Sequence, residues 1–234
     1  MGNPKVKPPS KLVLKISGHI ANPDNLGLIK EYCSAIREAY DKGIKIAVVV
    51  GGGTYARKYI SAARSLGASE SICDTLGIRV SRLNALLLTS LLKDIAYPLP
   101  PESYTEFLKA WSTGKIVVCG GFQPGQSTAT VAALVAEGIN ADVLALAARI
   151  DAVYDKDPRV YSNAKKLTTV TTTELKKILE EQSVKAGRYE LLDPIAIKVI
   201  ERSGIPVAVF DGRKVEYFRK LVYEGEIVGT LIKK

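Results

Sequence analysis

Histidine and cysteine, the usual ligands of structural zinc, are scarce in this sequence. The 234 residues contain one histidine, His19, and three cysteines, Cys33, Cys73 and Cys119, which are far apart. Such spacing forms no metal-binding motif, so no metal site built from the protein is predicted. Widely spaced cysteines in an odd number are typical of a reducing compartment, and they predict a cytoplasmic protein.

Long apolar runs and the best-known nucleotide-binding signatures are also missing. The longest apolar runs, such as Ile46–Val50 and Val131–Val135, are too short to span a bilayer, and no signal peptide is visible. There is no G-x-x-x-x-G-K-[ST] sequence, no G-x-G-x-x-G sequence and no protein-kinase signature, which counts against those three folds. The lack of a Gly-x-Ser-x-Gly elbow counts against a serine hydrolase.

Positive charge is in excess but is not concentrated. The chain has 33 Lys and Arg against 24 Asp and Glu, a net charge of +9, and no run of five basic residues occurs. A nucleic-acid-binding protein would cluster these charges on one face. The scattered charges instead favour a small anionic ligand, and neither a nucleic acid nor a membrane is predicted as a partner.

The apolar pattern predicts one α/β domain over residues 11–234, preceded by a flexible tail over residues 1–10, which are polar and rich in proline and lysine. Strands alternate with helices, which favours a mostly parallel sheet with helices on both faces. The predicted strands are Leu12–Ile16, Ile44–Val50, Lys115–Cys119, Ala141–Ala148, Pro206–Phe210 and Ile227–Ile232. The predicted helices are Leu26–Tyr40, Tyr55–Leu66, Ser71–Ile95, Glu102–Trp111, Ser127–Gly138, Glu174–Gln182 and Pro194–Ser203.

Glycine-rich turns follow three of the predicted strands. They are Lys15-Ile16-Ser17-Gly18, then Gly51-Gly52-Gly53 with Arg57 one turn into the next helix, and then Gly120–Thr128. In a parallel sheet these turns fall at the carboxyl edge, where ligands bind. Bare backbone N–H groups, helix N-termini and two nearby cations suit a phosphate, so the turns together predict phosphoryl transfer. Taken singly, each turn is also compatible with a role in packing or helix capping alone.

A fourth segment, Ile150–Arg159, follows a predicted buried strand and has a different composition. It places Tyr154 among acidic residues and a lysine, and it ends with an Asp157-Pro158 break. Such a segment can hold a nucleotide base and ribose. The alternative interpretation is a charged surface turn.

In this order, the segments resemble the amino-acid-kinase family and, within it, the archaeal type of UMP kinase. The resemblance covers nearly the whole chain and rests on the three glycine turns, on Val153–Pro158 and on Glu190–Ala196. The Gln-Pro-Gly-Gln loop and the Leu-Asp-Pro segment are its most specific parts. It implies a three-layer αβα sandwich and a step of pyrimidine nucleotide synthesis, in which ATP, with Mg²⁺, phosphorylates UMP to UDP.

The resemblance also implies roles for individual residues. Lys15 and Arg57 would be catalytic and would stabilise the phosphoryl group during transfer. The residues expected to bind ATP are Gly18, His19, Gly53, Arg57, Tyr154 and Asp157. The residues expected to bind UMP are Gly52, Asp74, Phe122, Gln123, Pro124, Gly125, Gln126, Ser127 and Thr128. The acceptor-binding lobe would cover about residues 11–140 and the ATP-binding lobe about residues 141–234.

This chain departs from the family pattern at the ATP end. His19 stands where close relatives often carry lysine, Ala148-Arg149 replaces a Thr-Asn or Thr-Lys pair, and Ala152 replaces a glycine. A neutral imidazole can still donate one hydrogen bond to phosphate, but it carries less charge than a lysine. These changes bear on contacts to adenine and ribose more than on catalysis.

Two alternatives remain compatible with the residues. One is a kinase of the same family for another small anionic acceptor, such as isopentenyl phosphate or carbamate. Isopentenyl phosphate kinases place a histidine just after the second glycine turn, where this chain has Thr54 and Tyr55. The other alternative is a nucleotide-binding regulator without catalysis. Lys15 and Arg57 count against it, because binding alone would not need both.

The predicted long helix Ser71–Ile95 carries more apolar residues than one core-facing stripe needs, which predicts a subunit contact. UMP kinases that resemble this chain are hexamers built from dimers. The resemblance therefore implies a homohexamer.

Overall fold

The computed structural model describes residues 2–158, 160–183 and 192–234. The strands are β1 (Lys11–Ile16), β2 (Lys45–Val50), β3 (Val117–Cys119), β4 (Val143–Ala148), β5 (Val153–Tyr154), β6 (Lys166–Leu167), β7 (Thr169–Thr171), β8 (Val207–Asp211) and β9 (Gly229–Lys233). The helices are α1 (Leu26–Asp41), α2 (Gly53–Ser65), α3 (Glu70–Leu91), α4 (Tyr104–Trp111), α5 (Thr128–Gly138), α6 (Thr172–Ser183), α7 (Pro194–Ser203) and α8 (Val215–Glu224). Within the described ranges, no helix is long and apolar enough to cross a membrane.

Seven strands form one sheet, in the order β3-β2-β1-β4-β8-β9-β7. Neighbouring strands are parallel, except that β8 and β9 are antiparallel. Ile16 of β1 lies beside Val50 of β2 and Ala147 of β4, so these three strands end at the same edge. The predicted α/β class and mostly parallel sheet are confirmed, and the shared carboxyl edge is where the glycine turns lie.

Two apolar layers cover the faces of this sheet. On one face, Leu12, Leu14 and Ile16 of β1 pack with buried residues of α1, α3 and α8. On the other face, Val13 and Val49 pack with buried residues of α4, α5 and α7. Successive side chains of a strand point to opposite faces, so strands that are apolar throughout need cover on both sides. The result is a three-layer αβα sandwich.

Four short elements, α8, β5, β6 and β7, are absent from the sequence prediction. Helix α8 buries Val215, Phe218, Leu221 and Val222, a helical spacing that is visible in the sequence. The three strands have only two or three residues each. Alternation cannot be recognised over so short a length, because a strand signal needs about four residues or more.

Residues in the segment 3–10 form hydrogen bonds with the domain, and the flexibility of this tail stays a prediction. The Val6 N–H donates to the Gly225 carbonyl oxygen at 2.9 Å. The Ser10 hydroxyl and N–H each donate to Asp142 Oδ2 at 2.8 Å. Composition does not reveal such bonds, because main-chain groups of any sequence can pair with a neighbouring segment. The division into two lobes at about residue 140 stays a prediction.

Candidate active site

Loops that follow β1, β2, β3 and β4 meet at the carboxyl edge of the sheet. The strand pairing continues past the strand ends, because Ser17 N donates to Ala147 O and Gly51 N donates to Ile16 O, both at 3.0 Å. The loops after β1 and β2 therefore leave the sheet side by side. The three glycine turns meet here, as the parallel sheet requires.

The first two turns touch main chain to main chain at Gly18, Gly51 and Gly53, and we name this contact the glycine interlock. A Cβ atom added to Gly18 would lie less than 3.0 Å from the Gly51 carbonyl oxygen and from the Gly53 nitrogen. Gly53 has a φ of 61°, which favours glycine, and a Cβ there would collide with the Gly18 main chain. Only residues without a side chain allow this approach.

Helix α2 begins at the glycine interlock, with Gly52 as its N-cap residue and no side-chain cap. The first N–H groups of a helix lack intrahelical partners and carry a partial positive charge. Such a terminus binds anions, and phosphate in particular. At the glycine interlock, the main chains of two turns thus approach closely, beside helix N–H groups that lack intrahelical partners.

Three cationic or titratable residues predicted to act on phosphate lie on the elements that border the interlock. Lys15 is the penultimate residue of β1 and is partly buried, and Arg57 is exposed in the first turns of α2. The His19 Nδ1 atom lies 2.9 Å from the Thr54 hydroxyl, so the imidazole bridges the first turn to the start of α2. The structure therefore gathers these side chains at one edge of the sheet.

A cavity of about 170 Å³ adjoins the interlock. The residues in its wall that the sequence predicts to bind UMP are Gly52, Asp74, Gln126, Ser127 and Thr128. The sequence prediction omits the remaining wall residues, which are Ala56, Ile60, Gly77, Ile78, Ser81 and Gly121. Most of these additional residues are small or apolar, and they belong mainly to α2 and α3.

The other predicted UMP residues precede these in the loop between β3 and α5 and lie outside the cavity wall among the described residues. Phe122 is buried, whereas Gln123 and Pro124 are exposed. The Gly125 N–H donates to Asp74 Oδ2 at 2.8 Å, which ties the loop to α3. The predicted set thus divides into residues that line the cavity and residues that shape or cap the loop.

Arg82 of α3 supports the start of the same loop. Its guanidinium donates to the carbonyl oxygens of Gly121 and Phe122 at 3.0 Å and pairs with Glu102 at 2.6 Å. The side chain is only 14% exposed. The planar fork of arginine can satisfy several fixed acceptors together, which suits it to hold a loop in one conformation.

Asp193 joins the end of this loop to α7. It is the N-cap residue of α7, where it accepts hydrogen bonds from the Ile195 and Ala196 N–H groups. It also accepts hydrogen bonds from the hydroxyl groups of Ser127 and Thr130. Burial raises the pKa of Asp193, but these hydrogen bonds outweigh burial and leave the pKa below its ordinary value. The carboxylate therefore stays ionised at neutral pH.

The predicted ATP-binding segment is held by an ion pair, by the pairing of β5 with β6 and by a hydrogen bond to β9. The Tyr154 hydroxyl donates to Asp151 Oδ1 at 3.0 Å, and Lys166 of β6 forms an ion pair with the same carboxylate. Burial and then the hydrogen bond to Asp151 raise the pKa of Tyr154. The Val153 N–H donates to the Thr230 hydroxyl at 2.8 Å, which attaches β5 to the main sheet.

Three of the four positions where the sequence is expected to depart from the family pattern lie in this segment or just before it. Ala148 ends β4, Arg149 is exposed, and Ala152 is buried. Asp157, which is predicted to bind ATP, is only 8% exposed. Arg149 is thus the departing residue whose side chain is open to solvent at the carboxyl edge.

The sequence prediction misses four supporting residues, namely Ser81, Arg82, Asn84 and Asp193. Three of them are polar residues on core-facing or loop-facing positions of α3, and such interruptions of an apolar helix are the one signal available in the sequence. Asp193 lies in Glu190–Ala196, one of the sequence segments on which the resemblance to the family rests. The first two residues of that segment, Glu190 and Leu191, lie outside the described residues.

Comparison with known proteins assigns the chain to a family. A sequence model described as the amino acid kinase family matches residues 10–211. The chain belongs to this family. Among amino acid kinases, a uridylate kinase of Sulfurisphaera tokodaii is 51% identical over 95% of this chain and 98% of its own length. A uridylate kinase of Hyperthermus butylicus is 50% identical over 96% of this chain and 99% of its own length.

Solved amino acid kinase structures share the fold. The crystal structure of uridylate kinase from Archaeoglobus fulgidus matches with a TM-score of 0.84 and 38% identity, over 95% of this chain and 99% of that one. The structure of UMP kinase from Bacillus anthracis matches with a TM-score of 0.79 at 22% identity, over 97% of each chain, and shows the fold alone. These matches confirm the predicted amino acid kinase fold.

Proposed function

We propose that this amino acid kinase is a UMP kinase, which transfers the γ-phosphoryl group of ATP to UMP and releases UDP and ADP. Relatives that are 51% and 50% identical over nearly the whole chain carry the name uridylate kinase. The observation that carries the proposal is the junction of the glycine interlock with a cavity walled by Asp74 and Gln126. The glycine interlock suits a phosphate group, and the cavity suits a polar nucleoside.

In the proposed complex, UMP occupies the cavity. The Gly52 N–H and the start of α2 bind its phosphate, since these main-chain donors have no intrahelical partner. The Asp74 carboxylate accepts one hydrogen bond from Gly125 and keeps lone pairs for a ribose hydroxyl. The amide of Gln126 and the hydroxyl of Thr128 reach the phosphate or the base. The loop from Phe122 to Thr128 closes over the nucleotide.

In the proposed transfer, an oxygen of the UMP phosphate bonds to the γ-phosphorus while the bond from that phosphorus to ADP breaks. The nucleophile needs no general base, because a phosphate monoester with a second pKa of about 6 is mostly ionised at neutral pH. Lys15 and Arg57 stabilise the charge on the transferring group, together with the Gly18 and Gly53 N–H groups. Catalysis is then mainly positioning and electrostatics.

On the donor side, Tyr154 and Asp157 are proposed to hold the nucleoside part of ATP, and His19 donates a hydrogen bond to its phosphates. Mg²⁺ is proposed to enter with ATP, where it neutralises phosphate charge. Within the described residues, no group of three His, Cys, Asp or Glu side chains is arranged to hold a metal ion. Phosphate oxygens and water supply most ligands of Mg²⁺ in such sites.

The test is turnover by the purified protein with Mg²⁺ and ATP, following ADP release with UMP, CMP, AMP, carbamate and isopentenyl phosphate. We expect UMP to give the highest kcat/KM. Preferred turnover of carbamate or isopentenyl phosphate would reassign the acceptor within the family. Nucleotide binding without turnover of any acceptor would instead indicate a regulator.

We further propose that the protein assembles as a homohexamer. Helix α3 exposes Ile72, Leu83, Leu86 and Leu91, with Leu83 65% exposed. Arg79, Leu83 and Leu99 line a groove of about 620 Å³ beside this helix. Burying such apolar surface against a second copy is favourable. Sedimentation that gives a monomer at micromolar concentration would contradict the assembly.

The proposed location is the cytosol. Cys33, Cys73 and Cys119 are buried free thiols, which is compatible with a reducing compartment. Fractionation of the source cells would test it.

A further inference from the structure

A buried amide on α3 faces the main chain of the second glycine turn. Asn84 is only 4% exposed, and its neighbours Ala85 and Leu88 on the helix are fully buried core residues. The Asn84 Nδ2 group donates to the Gly51 carbonyl oxygen at 2.9 Å and lies 3.4 Å from the Gly52 carbonyl oxygen. A leucine of similar size would fill this part of the core, so the amide needs an explanation beyond packing.

The two carbonyl groups determine the direction of the N–H groups of the turn. No peptide bond among the described residues is cis. In a trans peptide the C=O and the following N–H point in opposite directions across one rigid plane. Holding the Gly51 and Gly52 carbonyl oxygens toward Asn84 therefore turns the Gly52 and Gly53 N–H groups away from Asn84. These donors lie at the start of α2, where N–H groups have no intrahelical partner.

We propose that Asn84 is a positioning residue for the phosphate acceptor. It fixes the two peptide planes so that the Gly52 N–H, and more weakly the Gly53 N–H, stay aimed at bound phosphate. This inference rests on the proposed function, in which the Gly52 N–H binds the UMP phosphate. The shorter bond holds the plane that carries the Gly52 N–H, so the effect of Asn84 falls mainly on UMP binding.

The same helix also holds the third glycine turn, which strengthens the assignment. The Gly121 N–H donates to the Ser81 hydroxyl at 2.8 Å. The Arg82 Nε–H donates to the Gly121 carbonyl oxygen at 3.0 Å. Three residues of α3, Ser81, Arg82 and Asn84, thus contact the turns after β2 and β3. Both turns border the cavity, so one segment of α3 sets the shape of the acceptor site.

The experiment compares Asn84→Leu with Thr89→Val. Thr89 is also buried on α3, but its hydroxyl donates to the Ala85 carbonyl oxygen of its own helix. Calorimetry gives the Kd values of UMP and of ATP, and thermal unfolding reports stability. We expect Asn84→Leu to raise the Kd of UMP about tenfold, the loss of roughly one well-formed hydrogen bond. The Kd of ATP should change less than about twofold, and Thr89→Val should leave both nearly unchanged.

Hydrogen exchange provides a readout that does not depend on the substrate. In the free protein, the peptide that contains Gly51–Gly53 should exchange faster in Asn84→Leu than in wild type or Thr89→Val. If Asn84→Leu does not fold, Asn84→Ser takes its place, because a hydroxyl is too short to reach both carbonyl groups. For Asn84→Ser we expect a smaller rise in the Kd of UMP and a smaller increase in the exchange rate at Gly51–Gly53.

Two outcomes would overturn the inference. One is an unchanged Kd of UMP in a folded variant whose stability has fallen, which would make Asn84 a structural residue only. The other is an equal loss of UMP and ATP affinity. A failure of the proposed function looks different, because wild-type protein would then neither bind nor phosphorylate UMP. Exchange at Gly51–Gly53 would still show whether Asn84 orders the turn.

Discussion

The acceptor side and the donor side of this site are held by different forces. At the predicted acceptor side, the amide of Asn84 and the guanidinium of Arg82 fix the main chain through buried or nearly buried contacts, and the glycine interlock does so where the two sides meet. At the donor side, Tyr154 and Lys166 converge on Asp151, and the side chains of the ion pair are 57% and 42% exposed. Short-range contacts between buried groups are insensitive to salt, whereas exposed charge pairs are screened.

The positions where the sequence is expected to depart from the family pattern are also unevenly distributed between the two predicted sides. Arg149 and Ala152 adjoin or lie in the predicted ATP-binding segment, and His19 follows Gly18 of the glycine interlock. Main-chain contacts leave few tolerated substitutions, because removing one needs a movement of the backbone. Exposed ion pairs on the surface tolerate many substitutions. We therefore expect the predicted acceptor side to tolerate fewer substitutions than the predicted donor side. Four substitutions test this contrast, from the largest expected effect to the smallest.

Lys15→Ala should have the largest effect. If Lys15 stabilises charge on the transferring phosphoryl group, kcat should fall about 10²–10³-fold, as for the loss of one transition-state donor. The Kd of UMP should change much less, because the lysine acts on the group in transfer. The matched control is Lys45→Ala, at the start of β2 and at the opposite edge of the sheet. Equal losses in kcat and UMP binding would assign Lys15 to binding.

Gly18→Ala tests the glycine interlock. An added Cβ would meet the main chain of Gly51 and Gly53, and we expect a loss of about 2–3 kcal/mol in the free energy of unfolding, with loss of UMP turnover. The control is Gly27→Ala on α1, where an added Cβ meets nothing within 4 Å. The free energy of unfolding of Gly27→Ala should rise by about 0.5 kcal/mol, because alanine has a higher helix propensity than glycine. Chemical denaturation measures both, and similar values for the two variants would contradict the close approach.

Asp193→Asn tests the link between the acceptor loop and α7. Hydrogen bonds hold the folded pKa of Asp193 below the ordinary value of 3.8, so its ionised form stabilises the fold. This stability is fully present above pH 3.8 and is lost as the pH falls toward the folded pKa. We expect Asp193→Asn to cost about 1 kcal/mol at pH 7 and less at pH 3.5. A difference that does not shrink at low pH would contradict the assignment.

Lys166→Ala should have the smallest effect. Its ion pair with Asp151 is exposed and contributes about 0.2–1 kcal/mol, so the KM of ATP should rise no more than about fivefold. The KM of UMP should stay unchanged, and the effect on ATP should vanish at high salt. Lys165→Ala, at an exposed neighbouring position, is the control. A change in the KM of UMP would show that the two sides are coupled.

Much of the architecture could be predicted from the sequence because it depends on local patterns. The β-branched run that ends at Val50 and the glycines after it indicate a buried parallel strand and its turn, and the sheet order then brings such turns together. The contacts of Asn84 and Asp193 could not be predicted in this way. The bonds of Asn84 to the second glycine turn and of Asp193 to Ser127 join residues 32 or more positions apart, and no periodicity relates the partners. The roles of Tyr154 and Asp157 in ATP binding stay predictions.

For the evolution of this chain, the glycine interlock removes a common route of change. At most positions, a larger residue is accommodated when a neighbouring side chain becomes smaller. Here the atoms that would obstruct a Cβ at Gly18 or Gly53 are main-chain atoms, which every amino acid carries. No single substitution elsewhere can remove them. Gly18 and Gly53 can therefore vary only if the two turns separate, and a descendant in which either is replaced will have a different phosphate site.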